Sequence, residues 1–304
     1  MNESLVVAPE IAEAIAQGRA VVALESTIVT HGMPYPQNVA TAREVEDLVR
    51  AGGAIPATIA IVDGTIKVGL SAGELEWLGT AKDVMKLSRA DLPFAVAAKR
   101  HGSTTVAATM LVADLAGIPV FATGGIGGVH RGAETTFDIS ADLQELARTP
   151  VAVVCAGAKA LLDVPKTLEL LEMMGVPIVC YGTDEFPAFW SRTSGLPAPL
   201  RLDTPDAVAA FVRAKSALGI ESGTLIANPI PLVDEIPATE MAFYIERAIA
   251  ESVDAGIAGK AVTPWLLDRI FTITNGKSLT ANVALVKNNA RLASEIALAL
   301  AKSE

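Results

Sequence analysis

Residues 20–27 read AVVALEST, an unbroken apolar run that ends in polar residues. This pattern is typical of a strand buried on both faces, because helices cover both sides of a parallel sheet. Two similar runs follow, VAVVCAG at 151–157 and PIVCYG at 177–182, and helix-like stretches such as residues 39–50 lie between the runs. We therefore predict an α/β fold, a three-layer α/β/α sandwich with a largely parallel central sheet.

Turn and helix signals predict further elements. Asp63-Gly64 separates two strand-like runs, ATIAIVDG and TIKVGL, and predicts a hairpin. Residues 92–100 and 104–116 are predicted as two helices separated at Gly102. Residues 160–174 are predicted as a helix that follows the run VAVVCAG almost directly.

Composition limits the function classes. The chain has 304 residues and a formal charge of −10, and 51% of its residues are hydrophobic, which excludes a disordered chain. The acidic balance argues against nucleic-acid polymers and membrane surfaces as partners, because both are anionic. Only 2 Cys are present, and no targeting or spanning segment is recognisable. We expect a cytoplasmic protein with residues 1–304 as a single domain.

Ligands of such sheets bind beyond the carboxyl ends of the strands. Glu25 and Lys159 each follow a buried run, and TGGIGGVH at 123–130 follows another. The glycines permit close approach of backbone N–H groups to an anion, although a tight buried crossing would also require glycine.

Lys159 is a candidate nucleophile. At the start of the predicted helix it would experience a positive helix dipole as well as desolvation, and both lower the pKa of a lysine. A neutral amine is what imine chemistry with a sugar aldehyde requires, and Glu25 could exchange protons with the substrate. The alternative is an ordinary solvated lysine, which is the more common environment for this residue type.

Asp138 and Asp142 frame a short predicted helix at 141–148. One of them could be the N-cap of this helix, with Asp142 and Glu145 as a capping box. Alternatively, a carboxylate with open water positions suits Mg²⁺ or Mn²⁺.

The segment GLSAG at 69–73 matches the GxSxG motif of serine hydrolases. Ser71 and Glu74 also form an S-x-x-E capping box at the start of a predicted helix. We favour the capping box, because a short motif with free positions often arises by chance.

Several long motifs occur in one order along the chain. They are VALEST (22–27), HGMP (31–34), TGGIGGVHRG (123–132), FDISADLQEL (137–146) and CAGAK (155–159). Together they resemble the pseudouridine-5'-phosphate glycosidase family, also called the indigoidine-synthase-A-like family. The similarity continues through ANPIP at 227–231 and Asn288-Asn289, so that it covers essentially the whole chain.

The resemblance implies a single α/β/α sandwich, a homotrimer and one divalent ion per subunit, usually Mn²⁺. It implies a lyase-class glycosidase that reversibly converts pseudouridine 5'-phosphate and water into uracil and ribose 5-phosphate during pseudouridine catabolism. Residue by residue, it implies Glu25 as proton donor, Lys159 as covalent nucleophile and Asp138 as metal ligand. The substrate-binding positions it implies are Lys86, Val106 through its backbone amide, Ser140, Ala141 and Asp142.

Two other functions stay open at this point. A lysine-imine aldolase or lyase acting on another sugar phosphate would share Lys159 but would release no uracil. A non-catalytic nucleotide or sugar-phosphate binding module would use the glycine loop for binding and Lys159 only for charge pairing.

Overall fold

A computed structural model describes residues 4–257 and 262–302, and within these ranges eleven strands form one sheet. The strands are β1 Leu5–Val7, β2 Val21–Leu24, β3 Ile55–Val62, β4 Thr65–Val68, β5 Val84–Leu87, β6 His101–Thr104, β7 Val120–Ala122, β8 Ala152–Cys155, β9 Ile178–Tyr181, β10 Leu200–Leu202 and β11 Thr224–Ala227. The α-helices are α1 Pro9–Ala16, α2 Thr27–His31, α3 Gln37–Ala51, α4 Ala72–Thr80, α5 Leu92–Ala97, α6 Val106–Leu115, α7 Ala133–Thr136, α8 Ala141–Leu146, α9 Val164–Met173, α10 Pro205–Ala217, α11 Ala238–Asp254, α12 Val262–Ile273 and α13 Lys277–Ala301.

The sheet is parallel through its centre. Its main order is β1-β4-β3-β2-β7-β8-β11-β9-β10, with β5 and β6 attached beside β3. β2 pairs in parallel with β3 and β7, and β8 pairs in parallel with β7 and β11. Only the pairs of β3 with β4 and with β6 are antiparallel among the described strands. The predicted largely parallel sheet is confirmed.

Successive residues of the buried strands pack into different cores. In β2, Val21 and Ala23 pack with α1, α6, α8 and α9, whereas Val22 and Leu24 pack with α3 and α10–α13. Full burial of one such aliphatic side chain stabilises the fold by about 1.5–3 kcal/mol. Helices therefore cover both faces of the sheet, and the predicted three-layer sandwich in a single α/β domain is confirmed.

The predicted hairpin joins β3 to β4. Asp63 and Gly64 both have positive φ, 49° and 75°, as a two-residue turn between twisted strands requires. A Cβ atom at Gly64 would lie 2.7 Å from the carbonyl oxygen of Val96, so the close approach of α5 also requires glycine here.

The two helices predicted on either side of Gly102 are shorter than expected, and a strand lies between them. α5 ends at Ala97, α6 begins at Val106, and Gly102 lies within β6. The glycine is needed for packing, since a Cβ atom there would lie 2.1 Å from Cδ1 of Leu87 on the neighbouring strand β5. The prediction of Gly102 as a simple break between helices is therefore wrong.

The helix predicted from residue 160 begins only at Val164. The carboxylate of its N-cap, Asp163, accepts the Lys166 N–H at 3.1 Å, and Pro165 occupies the first turn. Lys159 consequently lies in the loop between β8 and α9, and the predicted position of this lysine at a helix N-terminus is wrong.

None of the helices in the described part of the chain has the length and apolarity needed to cross a bilayer.

Candidate functional site

The carboxyl ends of β2, β7, β8 and β11 lie side by side at one edge of the sheet. Glu25 directly follows β2, Thr123 follows β7, and Lys159 lies in the loop after β8. Two adjoining cavities open at this edge, and they share the lining residues Glu25, Thr27, Lys86 and Lys159. The predicted location of the ligand site therefore coincides with cavities in the structure.

The first cavity, here called the polar cavity, brings together every site residue named from the sequence. These are Glu25, Lys86, Val106, Asp138, Ser140, Ala141, Asp142 and Lys159. Thr105, Gly127 and His130 also line it. Residues from six separate segments of the chain thus meet around one space.

The second cavity, here called the apolar-walled cavity, adds to the shared residues a wall that the sequence motifs did not predict. The residues of this wall are chiefly Phe189, Leu267, Asn282, Leu285 and Val286. Phe189 comes from the long loop after β9 and has a positive φ of 63°, which is uncommon for an aromatic residue. Its backbone N–H donates to the carbonyl oxygen of Ala156 at 3.1 Å, and this bond fixes the loop beside the site. No periodic pattern in the sequence could identify these residues.

Glu25 has a hydroxyl donor for each of its carboxylate oxygens. The Thr27 hydroxyl donates to Oε2, and the Thr123 hydroxyl donates to Oε1. The two donors come from α2 and from the end of β7, so the orientation of the carboxylate depends on both segments. A carboxylate held in this way is suited to proton transfer at a defined position.

Lys159 is anchored through its backbone to the glycine loop. Its N–H donates to the carbonyl oxygen of Ile126 at 3.0 Å, and the Leu162 N–H donates to its carbonyl oxygen at 3.0 Å. The side chain borders both cavities and is half-buried. The amine thus lies where two parts of one ligand would meet, and α9 begins only at Val164.

Asp142 connects two segments that form the polar cavity. Oδ1 accepts the Ala107 N–H at 3.0 Å, and Oδ2 accepts the Gly127 N–H at 2.8 Å. The residue is 5% exposed. The carboxylate therefore joins the start of α6 to the glycine loop, and its two backbone partners occupy both oxygens.

The N-cap of α8 is Ser140. Its hydroxyl accepts the Asp142 N–H at 3.3 Å, and its own N–H donates to the carbonyl oxygen of Gly128 at 2.9 Å. The prediction of Asp138 or Asp142 as the cap is therefore wrong, because the Asp142 carboxylate is instead used by amides of other segments. By contrast, Ser71 and Glu74 form the predicted capping box at the start of α4.

The start of α6 offers an amide to the polar cavity. The hydroxyl of its N-cap Thr105 accepts the Ala108 N–H at 3.5 Å, and Asp142 takes the Ala107 N–H. The first-turn N–H groups of a helix lack intrahelical acceptors, so the Val106 N–H remains for a ligand. With the exposed Lys86 and with His130 in the same lining, this end of the cavity suits an anion.

His31 lines the apolar-walled cavity next to Lys86. Partial burial and then the charge of Lys86 lower the pKa of His31. The imidazole is therefore mostly neutral near pH 7, and Lys86 and Lys159 are the basic side chains that line both cavities.

Asp138 is a single carboxylate at the rim of the polar cavity. Its side chain is 42% exposed, and Oδ2 lies 3.9 Å from Nδ1 of His130. Across residues 4–257 and 262–302 no group of three or more His, Cys, Asp or Glu side chains could hold an ion. One exposed carboxylate does not suit Zn²⁺, but it fits Mg²⁺ or Mn²⁺, which keep several waters and share ligands with substrate phosphates.

The chain matches the family model described as indigoidine synthase A like protein over residues 10–299. The chain belongs to this family. The resemblance found in the sequence motifs is thereby confirmed.

Two relatives that carry an enzyme name match nearly the whole length of the chain. It is 68% identical to the pseudouridine-5'-phosphate glycosidase of Methylobacterium nodulans (96% of this chain, 87% of the relative). It is 58% identical to the protein of that name from Geobacillus kaustophilus (98% of this chain, 99% of the relative).

Two solved structures have the same fold. The prealnumycin C-glycosynthase AlnA in complex with ribulose 5-phosphate is 38% identical, with a TM-score of 0.92, 99% of this chain and 98% of that chain covered. An indigoidine synthase A-like protein from Thermotoga maritima is 34% identical, with a TM-score of 0.89, 98% of this chain and 97% of that chain covered.

Proposed function

We propose that the chain is an enzyme that reversibly cleaves the C–C glycosidic bond of pseudouridine 5'-phosphate, giving uracil and ribose 5-phosphate. The observation that carries the proposal is the meeting of Glu25, Lys159 and an anion-binding end in one polar cavity. Relatives that share 58–68% of its residues and carry this enzyme name support it. The role in pseudouridine catabolism that the family resemblance implies belongs to the same proposal.

The two cavities match the two ends of such a substrate. The 5'-phosphate would bind at the Val106 N–H, Lys86 and Ser140, where a helix N-terminus and a positive charge stabilise an anion. The base would occupy the apolar-walled cavity against Phe189. There the Asn282 carboxamide oxygen accepts the Trp190 indole N–H at 2.6 Å, which leaves its amino group for a base carbonyl.

The chemistry requires an electron sink, because the leaving atom is carbon. Ordinary glycosidases protonate a leaving oxygen, whereas uracil C5 would depart with an electron pair. We propose that Glu25 takes a proton from the Lys159 ammonium, and that the neutral amine bonds to C1' as the C1'–O4' bond breaks. The proton that the attacking nitrogen loses goes to O4'. The C1'–C5 bond then breaks as the nitrogen lone pair forms an iminium, and Glu25 passes its acquired proton to C5. Water hydrolyses the iminium and frees ribose 5-phosphate and the lysine.

We propose that Asp138 holds one divalent ion, Mn²⁺ as the family implies, through water molecules. When bound, such an ion neutralises phosphate charge and orients the substrate. Asp138 and its neighbour His130 would position the hydrated ion at the rim of the polar cavity. We expect chelation to reduce uracil release and added Mn²⁺ to restore it. Full activity in excess chelator would contradict this assignment.

The homotrimer implied by the family also stays a prediction, which sedimentation would test.

The central test is uracil release from pseudouridine 5'-phosphate by the wild-type protein and by Lys159→Ala. We expect turnover by the wild type and its loss in the variant. Borohydride added with ribose 5-phosphate should attach the reduced pentose to Lys159, as mass spectrometry would show. Labelling at another residue of an active enzyme would refute the lysine intermediate.

The same assay separates the alternatives. An imine-forming lyase for another sugar phosphate would be labelled at Lys159 but would release no uracil. A binding module would bind pentose phosphates without turnover and without labelling.

A further inference from the structure

Two buried asparagines lie behind the glycine loop. Asn228 directly follows β11, and Asn289 lies on α13. The Asn228 amino group donates to the Asn289 carboxamide oxygen at 3.0 Å, and the Asn289 amino group donates to the carbonyl oxygen of Thr123 at 2.8 Å. The Thr123 hydroxyl in turn donates to Glu25. We propose that Asn289, supported by Asn228, is a positioning residue that orients Glu25 through Thr123.

The apolar surroundings of the Asn228 and Asn289 carboxamides indicate that the two side chains serve to position other groups. Asn289 is 0% exposed and Asn228 is 6% exposed, and neighbouring residues of α13 such as Leu285 and Ala290 belong to the apolar core. Replacing both partners of a buried hydrogen bond by apolar groups of similar shape can be nearly neutral for stability. Packing alone thus does not require a buried carboxamide pair. The pair instead fixes the distance and direction between α13 and the Thr123 carbonyl.

The bond acts where the chain leaves the sheet. The Thr123 N–H still donates to the carbonyl oxygen of Val154 on β8 at 3.0 Å, as in the parallel ladder. The Thr123 carbonyl accepts the Asn289 amino group instead. Thr123 is therefore held from two directions, through its N–H by β8 and through its carbonyl by α13, and this determines where the Thr123 hydroxyl meets Glu25.

The same helix also forms part of the site. Asn282, Leu285 and Val286 of α13 line the apolar-walled cavity. Because Asn289 binds β7 from α13, it fixes the proton donor and this wall relative to each other. A base bound against α13 would then present its carbon atom at a fixed distance from Glu25.

The inference rests on the proposed function, in which Glu25 protonates the departing base. A misplaced carboxylate should slow that proton transfer, whereas the imine between Lys159 and ribose 5-phosphate does not contain the base. We therefore expect Asn289→Ala to lower kcat for uracil release roughly 10- to 100-fold, since displacements near 1 Å have effects of this size. KM and the equilibrium extent of borohydride trapping with ribose 5-phosphate should stay within about twofold of wild type.

Asn288 provides the matched control. It neighbours Asn289 on α13, and its amino group donates to the carbonyl oxygen of Pro229 at 3.1 Å, but no bond connects it to Thr123. Asn288→Ala should retain kcat within about twofold. Thr123→Val, which keeps the shape and removes the hydroxyl, should reproduce the Asn289→Ala effect. Asn228→Ala, which leaves the bond from Asn289 to Thr123 in place, should lower kcat by a smaller factor.

Several results would overturn the inference. One is a kcat for Asn289→Ala within twofold of wild type. Another is an equal loss of turnover and trapping, which would indicate general damage to the fold. If Asn289→Ala does not fold, Asn228→Ala and Thr123→Val decide by the same criteria. A wild-type protein that releases no uracil would instead refute the proposed function. The wild-type assay is therefore run first, before any variant is compared.

Discussion

Replacing Asp142 by Asn should weaken both the fold and the phosphate end of the site. The carboxylate accepts two backbone N–H groups, Ala107 at 3.0 Å and Gly127 at 2.8 Å, in a position that is 5% exposed. Asparagine has one acceptor oxygen, so that its amino group would face the other backbone donor. Hydrogen bonds to charged groups contribute about 1.5–3 kcal/mol each, and we expect the free energy of unfolding to fall by about 2 kcal/mol.

Thermal unfolding and steady-state kinetics measure the two consequences. A loss of about 2 kcal/mol should lower Tm by roughly 3 °C in a domain of 304 residues. Loss of the bond to Ala107 would free the start of α6, and loss of the bond to Gly127 would free the glycine loop. The Val106 amide, which is adjacent to Ala107, would then be less well positioned. We therefore expect KM for pseudouridine 5'-phosphate to rise roughly tenfold, which corresponds to about 1.4 kcal/mol of binding.

Asp138→Asn is the matched control for stability. It makes the same chemical change at a carboxylate that is 42% exposed, and we expect its free energy of unfolding to change by less than about 0.5 kcal/mol. The reasoning is wrong if Asp142→Asn unfolds at the wild-type temperature, or if the two variants lose the same stability. An unchanged KM in Asp142→Asn would separately refute the connection to Val106.

Three further predictions concern the rest of the chain. Ser71→Ala should cost about 1 kcal/mol in urea unfolding, as expected for a lost N-cap, and should leave uracil release intact; loss of activity would instead favour the hydrolase motif. Lys86→Met should raise KM for the phosphorylated substrate by tenfold or more, because it removes about 1.4 kcal/mol or more of charge-assisted binding; an unchanged KM would reject the phosphate role. Burial raises the pKa of the Cys155 and Cys180 thiols to about 12, so they stay protonated at pH 8. The native protein should therefore react slowly with a disulfide reagent at pH 8, whereas the urea-unfolded chain should react quickly; fast modification of the native form would contradict the burial.

Much of the fold follows from local sequence patterns. The run at 20–27 predicted β2 because a strand covered on both faces has no solvent-facing positions. Asp63-Gly64 predicted the hairpin because both residues tolerate positive φ. β5 and β6 were missed, since these short strands contain polar residues such as Lys86 and His101 and have no continuous apolar run.

The site residues were found by resemblance, and the structure places all of them around one cavity. Their hydrogen-bond partners could not be predicted. Asp142 matched a substrate-binding run, yet its carboxylate is bonded to two backbone amides. Phe189 and Asn282 gave no sequence signal, because neither a long irregular loop nor the second turn of a long helix carries a pattern that points to a ligand.

The sequence by itself determined the alternation of strands and helices, and with it the edge where Glu25 and Lys159 had to lie. Periodicity reports which faces of each element are buried, so it carries that much information. Only the tertiary structure decided what holds these residues in place. The bond from Asn289 to Thr123 joins positions 166 residues apart, and the bond from Thr123 to Glu25 joins positions 98 residues apart. A hydrogen bond needs two atoms about 3 Å apart, and no local pattern specifies which distant segments the folded sheet brings to that distance.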